Sequence, residues 1–138
     1  MQISLNGKRA IVSGSTAGIG LAIAIGLAEA GAEVVLNGRS QARVDQALKQ
    51  VRERVPAARI IGVAADLGTA EGARQLFEQV PQTDILVNNL GIFEPKGFFE
   101  ISDEDWQRFF EVNVLSAVRL SRHLSLIHIS EPTRLRRI

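Results

Sequence analysis

Three glycines near the start of the chain, Gly14, Gly18 and Gly20, carry the strongest chemical signal. They lie in Ser13-Gly14-Ser15-Thr16-Ala17-Gly18-Ile19-Gly20, between the apolar run Ala10-Ile11-Val12 and the apolar segment 21–30. The pattern reads as strand, glycine turn, helix. A helix that opens directly after a strand aims its unpaired backbone N–H groups and the positive end of its dipole at the space above the sheet edge. A phosphate is the natural occupant of that space. The spacing is GxxxGxG and not GxGxxG, yet the same roles apply: one glycine makes a tight turn, one lets a pyrophosphate approach the backbone, and one lets helix pack closely on strand. Taken alone, the stretch also fits an ordinary strand-to-helix turn. A second signal is Asn113, three residues after Phe110 on the apolar stripe Trp106, Phe109, Phe110, Ala117 and Leu120 of a helical segment. A buried amide left unpaired costs about 1–3 kcal/mol, so Asn113 is either a satisfied core asparagine or a group placed for chemistry.

The elements that must position these residues alternate. Residues 8–13 read as a first strand, and the helix after the glycine turn is apolar nearly all round, which predicts burial on several sides. Gly31 ends that helix, and 33–37 is a second strand. Ser40 is a plausible N-cap for a helix with Val44, Ala47, Leu48, Val51 and Val55 on one face; Arg43, Asp45, Gln46, Lys49, Arg52 and Glu53 on the other read as solvated surface, and Pro56 stops it. Residues 59–64 give a third strand, followed by Asp66-Leu67-Gly68 and a helix from about Ala70 with Ala73, Leu76, Phe77 and Val80 on its inner face. Pro81 ends it, and 84–87 is a fourth strand running into Asn88-Asn89-Leu90-Gly91. Alternation of this kind predicts an α/β fold, a Rossmann-like doubly wound parallel sheet of order 3-2-1-4. The loop 92–101, with Phe98 and Phe99, lies above the carboxyl ends of the strands, where the aromatics either line a cleft or pack beneath the loop. Ser102, followed by Asp103, Glu104 and Asp105, opens the last helix.

Composition narrows the class. With 138 residues, 46% apolar and 22% charged, the chain is one globular domain's worth. It has no cysteine, which excludes disulfide and thiolate chemistry and makes a reducing compartment, the cytoplasm, the expected location. No apolar run approaches membrane-spanning length. Net charge is +1, with Arg134, Arg136 and Arg137 near the end against Glu131, so the body is near neutral and no nucleic-acid partner is expected. No metal-ligand pattern stands out. The chain also contains no tyrosine.

With these residues in place, the chain resembles the short-chain dehydrogenase/reductase family over residues 3–123. The resemblance rests on Gly14-Ser15-Thr16-Ala17-Gly18-Ile19-Gly20, on Asp66-Leu67 after the third strand, on Asn88-Asn89-Leu90-Gly91 after the fourth, and on Asn113 within Val112-Asn113-Val114. Leu90 departs from the family's usual alanine. The resemblance implies that Gly14, Ser15, Thr16, Gly18, Ile19 and Gly20 hold the pyrophosphate and its riboses. It also implies that Asp66 accepts from the adenine amino group beside the Leu67 backbone, and that Asn89 and Gly91 lie against the ribose while Asn88 ties neighbouring strands. Asn113 would be the asparagine of the catalytic tetrad, holding a water in the proton relay.

The end of the second strand bears on the cofactor. A NAD enzyme needs a carboxylate there for the ribose 2′-hydroxyl, but the sequence is Asn37-Gly38-Arg39-Ser40, with no acid before Asp45. Arg39, with Ser40 beside it, suits a 2′-phosphate, so NADP(H) is favoured over NAD(H). The resemblance implies that the family's tyrosine proton donor, its lysine partner four residues later and its serine lie after a fifth strand and in the helix beyond it. A chain without tyrosine cannot hold that set.

The expectation is therefore the amino-terminal half of an NADP(H)-preferring, 3-oxoacyl reductase-like enzyme, inactive as it stands. Intact, it would act on a small-molecule carbonyl or secondary alcohol as a homo-oligomer, a dimer or tetramer. Residues 1–123 form the truncated cofactor-binding domain. Residues 124–138, beginning Leu124-Ser125-Leu126-Ile127-His128, resemble the translation of a transposon-end adapter used in sequencing libraries and are expected to be non-native; His128 is accordingly given no chemical role. A non-catalytic NADP(H)-binding or sensor module is the alternative, and a Rossmann-like methyltransferase is disfavoured by Arg39 where an acid would be wanted.

Overall fold

The computed structural model describes residues 2–128, and most of the expected tail, 129–138, lies outside them. Its framework is four parallel strands: β1 (Arg9–Val12), β2 (Glu33–Gly38), β3 (Ile60–Ala64) and β4 (Ile85–Val87), in the order β3-β2-β1-β4. Ile11 stands opposite Val35 on one side and Leu86 on the other, while Val35 also pairs with Ile61. Helices α1 (Gly18–Glu29), α2 (Gln41–Arg54) and α3 (Ala70–Gln79) make the crossovers. The expected order 3-2-1-4 is the one observed.

Strand alternation divides the core in two. Ala10, Val12, Val34 and Leu36 point to α1 and α2, joining Ala24, Ala28, Ala47 and Val51. Ile11 and Val35 point the other way, to Leu76 of α3 and Leu120 of the last helix, with Val63 and Leu67 between them. A strand covered on both faces must be apolar on both, which is why β1 and β2 read as unbroken apolar runs. Helix α1 departs from expectation: only Gly20, Ala24 and Ala28 are buried, and its other apolar residues lie half-covered or exposed, because it packs on the sheet along one side. Caps fall where short polar side chains allow them. Ser40 Oγ accepts from the Arg43 N–H, and Thr69 Oγ1 accepts from the Gly72 N–H.

The last helical segment is not a single regular helix. It begins as α4 (Asp103–Phe110), with Ser102 and Asp105 forming a reciprocal capping box, widens into a π-helical turn over Glu111–Leu115, and continues as α5 (Ser116–Ile127). The wide turn shifts the phase of the helix. Ser116 and Leu120 become its buried residues, while Trp106 and Phe110 are each 54% exposed. Asn113 is therefore exposed as well, and the expectation of a buried amide on a continuous stripe is corrected. The Ser116 hydroxyl donates to the Val112 carbonyl at 2.6 Å, bonding back one turn beside the irregularity. Beyond α5, His128 Nε2 lies 2.8 Å from the Thr83 carbonyl.

Candidate functional site

The carboxyl ends of β1, β2, β3 and β4 converge on one edge of the sheet, and two buried polar side chains lock their loops together. Ser13, after β1, accepts at Oγ from the N–H groups of Asn89 (3.0 Å) and Leu90 (2.9 Å), which fixes the loop after β4 against the glycine turn. Asn37, at the end of β2, donates from Nδ2 to the carbonyls of Val63 (3.2 Å) and Ala65 (3.1 Å) and accepts at Oδ1 from the Gly14 N–H (3.1 Å). Both are essentially inaccessible to solvent. Sequence reasoning missed both as site residues, although a polar residue ending an apolar strand was the available signal.

The glycine turn has the expected geometry. Gly14 and Gly18 adopt φ of 59° and 58°, in the left-handed region. A Cβ on Gly20 would stand 2.5 Å from both Asn89 Nδ2 and the Gly14 carbonyl, so α1 can approach the turn only without a side chain there. Ala17 offers α1 no side-chain cap, leaving the first helical N–H groups directed above the sheet edge beside exposed Ile19. Ser15, expected against the pyrophosphate, makes internal contacts in the turn. It is wholly buried, its Oγ donates to the Val12 carbonyl and accepts from the Asn37 N–H, and its own N–H donates to the Asn37 carbonyl.

Two clefts of about 580 Å³ each open beside this turn. Gly14, Thr16, Gly38, Arg39, Ser40, Arg43 and Leu67 line the first, with Asn37 at its base; no carboxylate lines it. Asp66, Gly68, Gly91, Ile92 and Val112 line the second. Arg39 and Leu90 belong to both and form the partition between them. Asp66 Oδ1 accepts from the Gly68 N–H at 3.0 Å, which orients its carboxylate. Asn89 spends both Nδ2 hydrogens on the Ser13 and Gly14 carbonyls, at 3.2 and 3.0 Å. Asn88 was expected to tie strands and instead donates to Ser121 Oγ of α5 at 3.1 Å.

Asn113 meets the loop after β4 directly: its Oδ1 accepts from the Ile92 N–H at 2.7 Å and its Nδ2 donates to the Ile92 carbonyl at 3.0 Å. That loop is also held to α4 by ion pairs. Lys96 lies 2.8 Å from Asp105 and 3.3 Å from Glu94, and Glu94 pairs with Arg108. The Lys96 hydrogen bond holds the Asp105 carboxyl below its ordinary value, those from Arg108 and Lys96 do the same for Glu94, and Asp105 raises Lys96. Phe98 and Phe99 stack edge to face with each other and stand largely in solvent. Among the described residues no cluster of His, Cys, Asp and Glu could hold a metal, and no helix is long and apolar enough to cross a membrane.

The sequence matches the family model described as short chain dehydrogenase over residues 8–130. The chain belongs to the short-chain dehydrogenase family. Among curated members of this family, it is 52% identical over 122 residues to the uncharacterised oxidoreductase YvaG of Bacillus subtilis, covering 88% of this chain and 46% of the relative. It is 38% identical over 118 residues to the 3-oxoacyl-[acyl-carrier-protein] reductase FabG of Aquifex aeolicus, covering 83% and 47%. Its structure matches L-sorbose reductase of Gluconobacter frateurii, solved with NADPH and L-sorbose, at a TM-score of 0.86 and 40% identity, over 91% of this chain and 49% of that one. The chain spans about half the length of the short-chain dehydrogenases it matches. The two clefts, the glycine turn and Asp66 thus fit the nicotinamide dinucleotide that this family binds.

Proposed function

We propose that this chain is the NADP(H)-binding half of an oxidoreductase that reduces a carbonyl compound or oxidises a secondary alcohol by hydride transfer. The observation that carries the reading is the position of Arg39, shared by the two clefts at the end of a strand that offers no carboxylate. A guanidinium there can fork onto a 2′-phosphate on one side and cover the face of a base on the other. The bound nicotinamide supplies or accepts the hydride. The chain's own residues bind and orient. The N–H groups of Gly18, Ile19 and Gly20, with Gly14 and Thr16, hold the pyrophosphate; Asp66 takes the adenine amino group beside Leu67; Ser40 offers its hydroxyl hydrogen to the 2′-phosphate. Asn89, with Oδ1 left over, and Gly91 meet the ribose.

Asn113 fixes the Ile92 backbone and retains one Nδ2 hydrogen for a water in the proton relay. The relay itself needs the family's tyrosine, and none occurs in the 138 residues. By this reading the chain binds the dinucleotide and does not turn over, and the intact enzyme is a homo-oligomer. Residues 1–123 are the functional unit and 124–138 a non-native tail, which sequencing the source DNA outward from the codons for 103–123 tests. The reading is tested by binding: the chain should take NADPH at least about tenfold more tightly than NADH, as loss of a charge-assisted contact requires. Equal affinity, or tighter NADH, contradicts it.

A further inference from the structure

Arg119 stands behind the wall of the second cleft. With Arg74, Phe77 and His123 it lines a smaller cavity of about 220 Å³ between α3 and α5, and it does not line the cleft. Its guanidinium nevertheless holds two residues that do. Nη1 donates to the Gly68 carbonyl at 3.4 Å, and Nη2 pairs with the Glu111 carboxylate at 2.8 Å. Gly68 and Glu111 both line the cleft that contains Asp66. We propose that Arg119 is a positioning residue for adenine recognition: it clamps the turn 66–69 to the π-helical turn and so keeps the Asp66 carboxylate directed at the base. This rests on the cofactor reading above.

The clamp acts on the residue that orients Asp66. The Gly68 N–H donates to Asp66 Oδ1 at 3.0 Å, while the carbonyl of the same residue is taken by Arg119. Thr69 holds only the Asp66 backbone, its N–H and hydroxyl both donating to the Asp66 carbonyl, at 3.1 and 2.8 Å. The carboxylate itself is therefore set through Gly68, and a site is only as well defined as the groups that lock it. A Cβ on Gly68 would stand 3.0 Å from Val112 Cγ2, so the two turns meet closely at the point that Arg119 spans. The ion pair itself depends on the irregular helix. In a regular α-helix the side chains that meet are three or four residues apart, and residues eight apart lie about 80° out of phase. The additional residue taken up by the wide turn over Glu111–Leu115 removes most of that angle and brings Glu111 and Arg119 onto one face. Arg119 is also the least exposed arginine of the described ion pairs, at 18% against 54% for Arg74 and 49% for Arg108. Its bonds are correspondingly less screened by solvent.

The test is calorimetric titration of the 138-residue chain with NADPH and with its hypoxanthine analogue, which carries a carbonyl where adenine has its amino group. A carboxylate can accept from the amino group and not from the carbonyl, so the unsubstituted chain should prefer NADPH by about tenfold. Arg119→Met keeps the apolar stem and removes both donors, and it should cut the preference to about threefold or less. Loss of folded protein would weaken the two ligands together and leave their ratio unchanged, so the ratio separates positioning from a merely structural role. If Arg119→Met does not fold, Arg119→Lys decides in its place: one ammonium cannot span both partners, and the ratio should still fall at least about twofold. An unchanged ratio in the folded variant, with Asp66→Ala abolishing the preference, overturns the inference and leaves the cofactor reading standing. If the unsubstituted chain binds NADPH without preferring it to the analogue, Asp66 does not read the adenine and the inference falls. If it binds neither, the cofactor reading fails as well.

Discussion

Asn113 and Ile92 are joined by two hydrogen bonds, 2.7 Å from the Ile92 N–H to Oδ1 and 3.0 Å from Nδ2 to the Ile92 carbonyl. One side-chain amide thus closes on one peptide unit's worth of donor and acceptor across 21 residues of sequence. The π-helical turn at Glu111–Leu115 carries Asn113 toward the loop and away from the core. Asn113→Ala should release the loop: amide exchange at Ile92 should accelerate about tenfold, and stability should fall by about 1 kcal/mol, as expected for exposed bonds. Asn113→Asp keeps the acceptor but sets a carboxylate against the Ile92 carbonyl, and it should protect the Ile92 amide while destabilising the loop. Unchanged exchange in both variants would show that the pair does not hold the loop.

The Asn37 amide is buried and fully engaged, so its loss should be costlier. Asn37→Leu strands the Gly14 N–H and two strand-end carbonyls, each worth about 1–3 kcal/mol when buried without a partner. A urea melt should show a loss of at least about 2 kcal/mol. A loss below about 0.5 kcal/mol would mean that water replaces the side chain.

Two glycines of α1 should respond in opposite directions. Gly20→Ala drives a methyl group into the Asn89 amide and the Gly14 carbonyl, so it should destabilise the fold and weaken NADPH severalfold. Gly26 is exposed within the same helix, with nothing near its would-be Cβ, and Gly26→Ala should raise stability by about 0.5–1 kcal/mol. Thermal melts of the two variants decide it, and shifts of the same sign would contradict the described packing.

Much of this was legible in the sequence because its signals are local. Apolar runs, the glycine turn, Pro56 and Pro81 placed the strands and helix ends to within a residue or two, and the strand order followed from the alternation. What was not legible depended on how loops meet. Nothing in the sequence marks the Ser15 hydroxyl as the bridge between Val12 and Asn37. Asn113 looked buried because helical periodicity assumes 3.6 residues per turn, and a π turn breaks the count.

The ion pairs that strap the loop 92–101 to α4 give a pH signature. Asp105 and Glu94 are depressed, so their contribution is complete above the ordinary carboxylate values of 3.8 and 4.5 and is lost as pH falls through their lower folded values. Lys96 is raised, so its contribution is complete below 10.5 and is lost as pH rises past its higher folded value. Trp106, the one tryptophan of the sequence, lines a small cavity with Glu94, Lys96, Asp105 and Phe109 and reports on the strap. Its fluorescence should stay flat between about pH 5 and pH 9 and change below about pH 4. A transition inside the flat range would contradict this assignment.

The central claim is that the edge formed by Gly14, Gly18, Arg39 and Asp66 binds NADPH. The most direct measurement is a two-dimensional ¹H–¹⁵N spectrum of the isotope-labelled chain titrated with NADPH and, separately, with NADH. The account predicts saturable shifts at the amides of Gly14, Gly18, Gly20, Arg39 and Gly68, reached at lower concentration with NADPH. Shifts confined to the opposite end of the sheet, near Thr83 and Asp84, or none with either nucleotide in a well-dispersed spectrum, would contradict it.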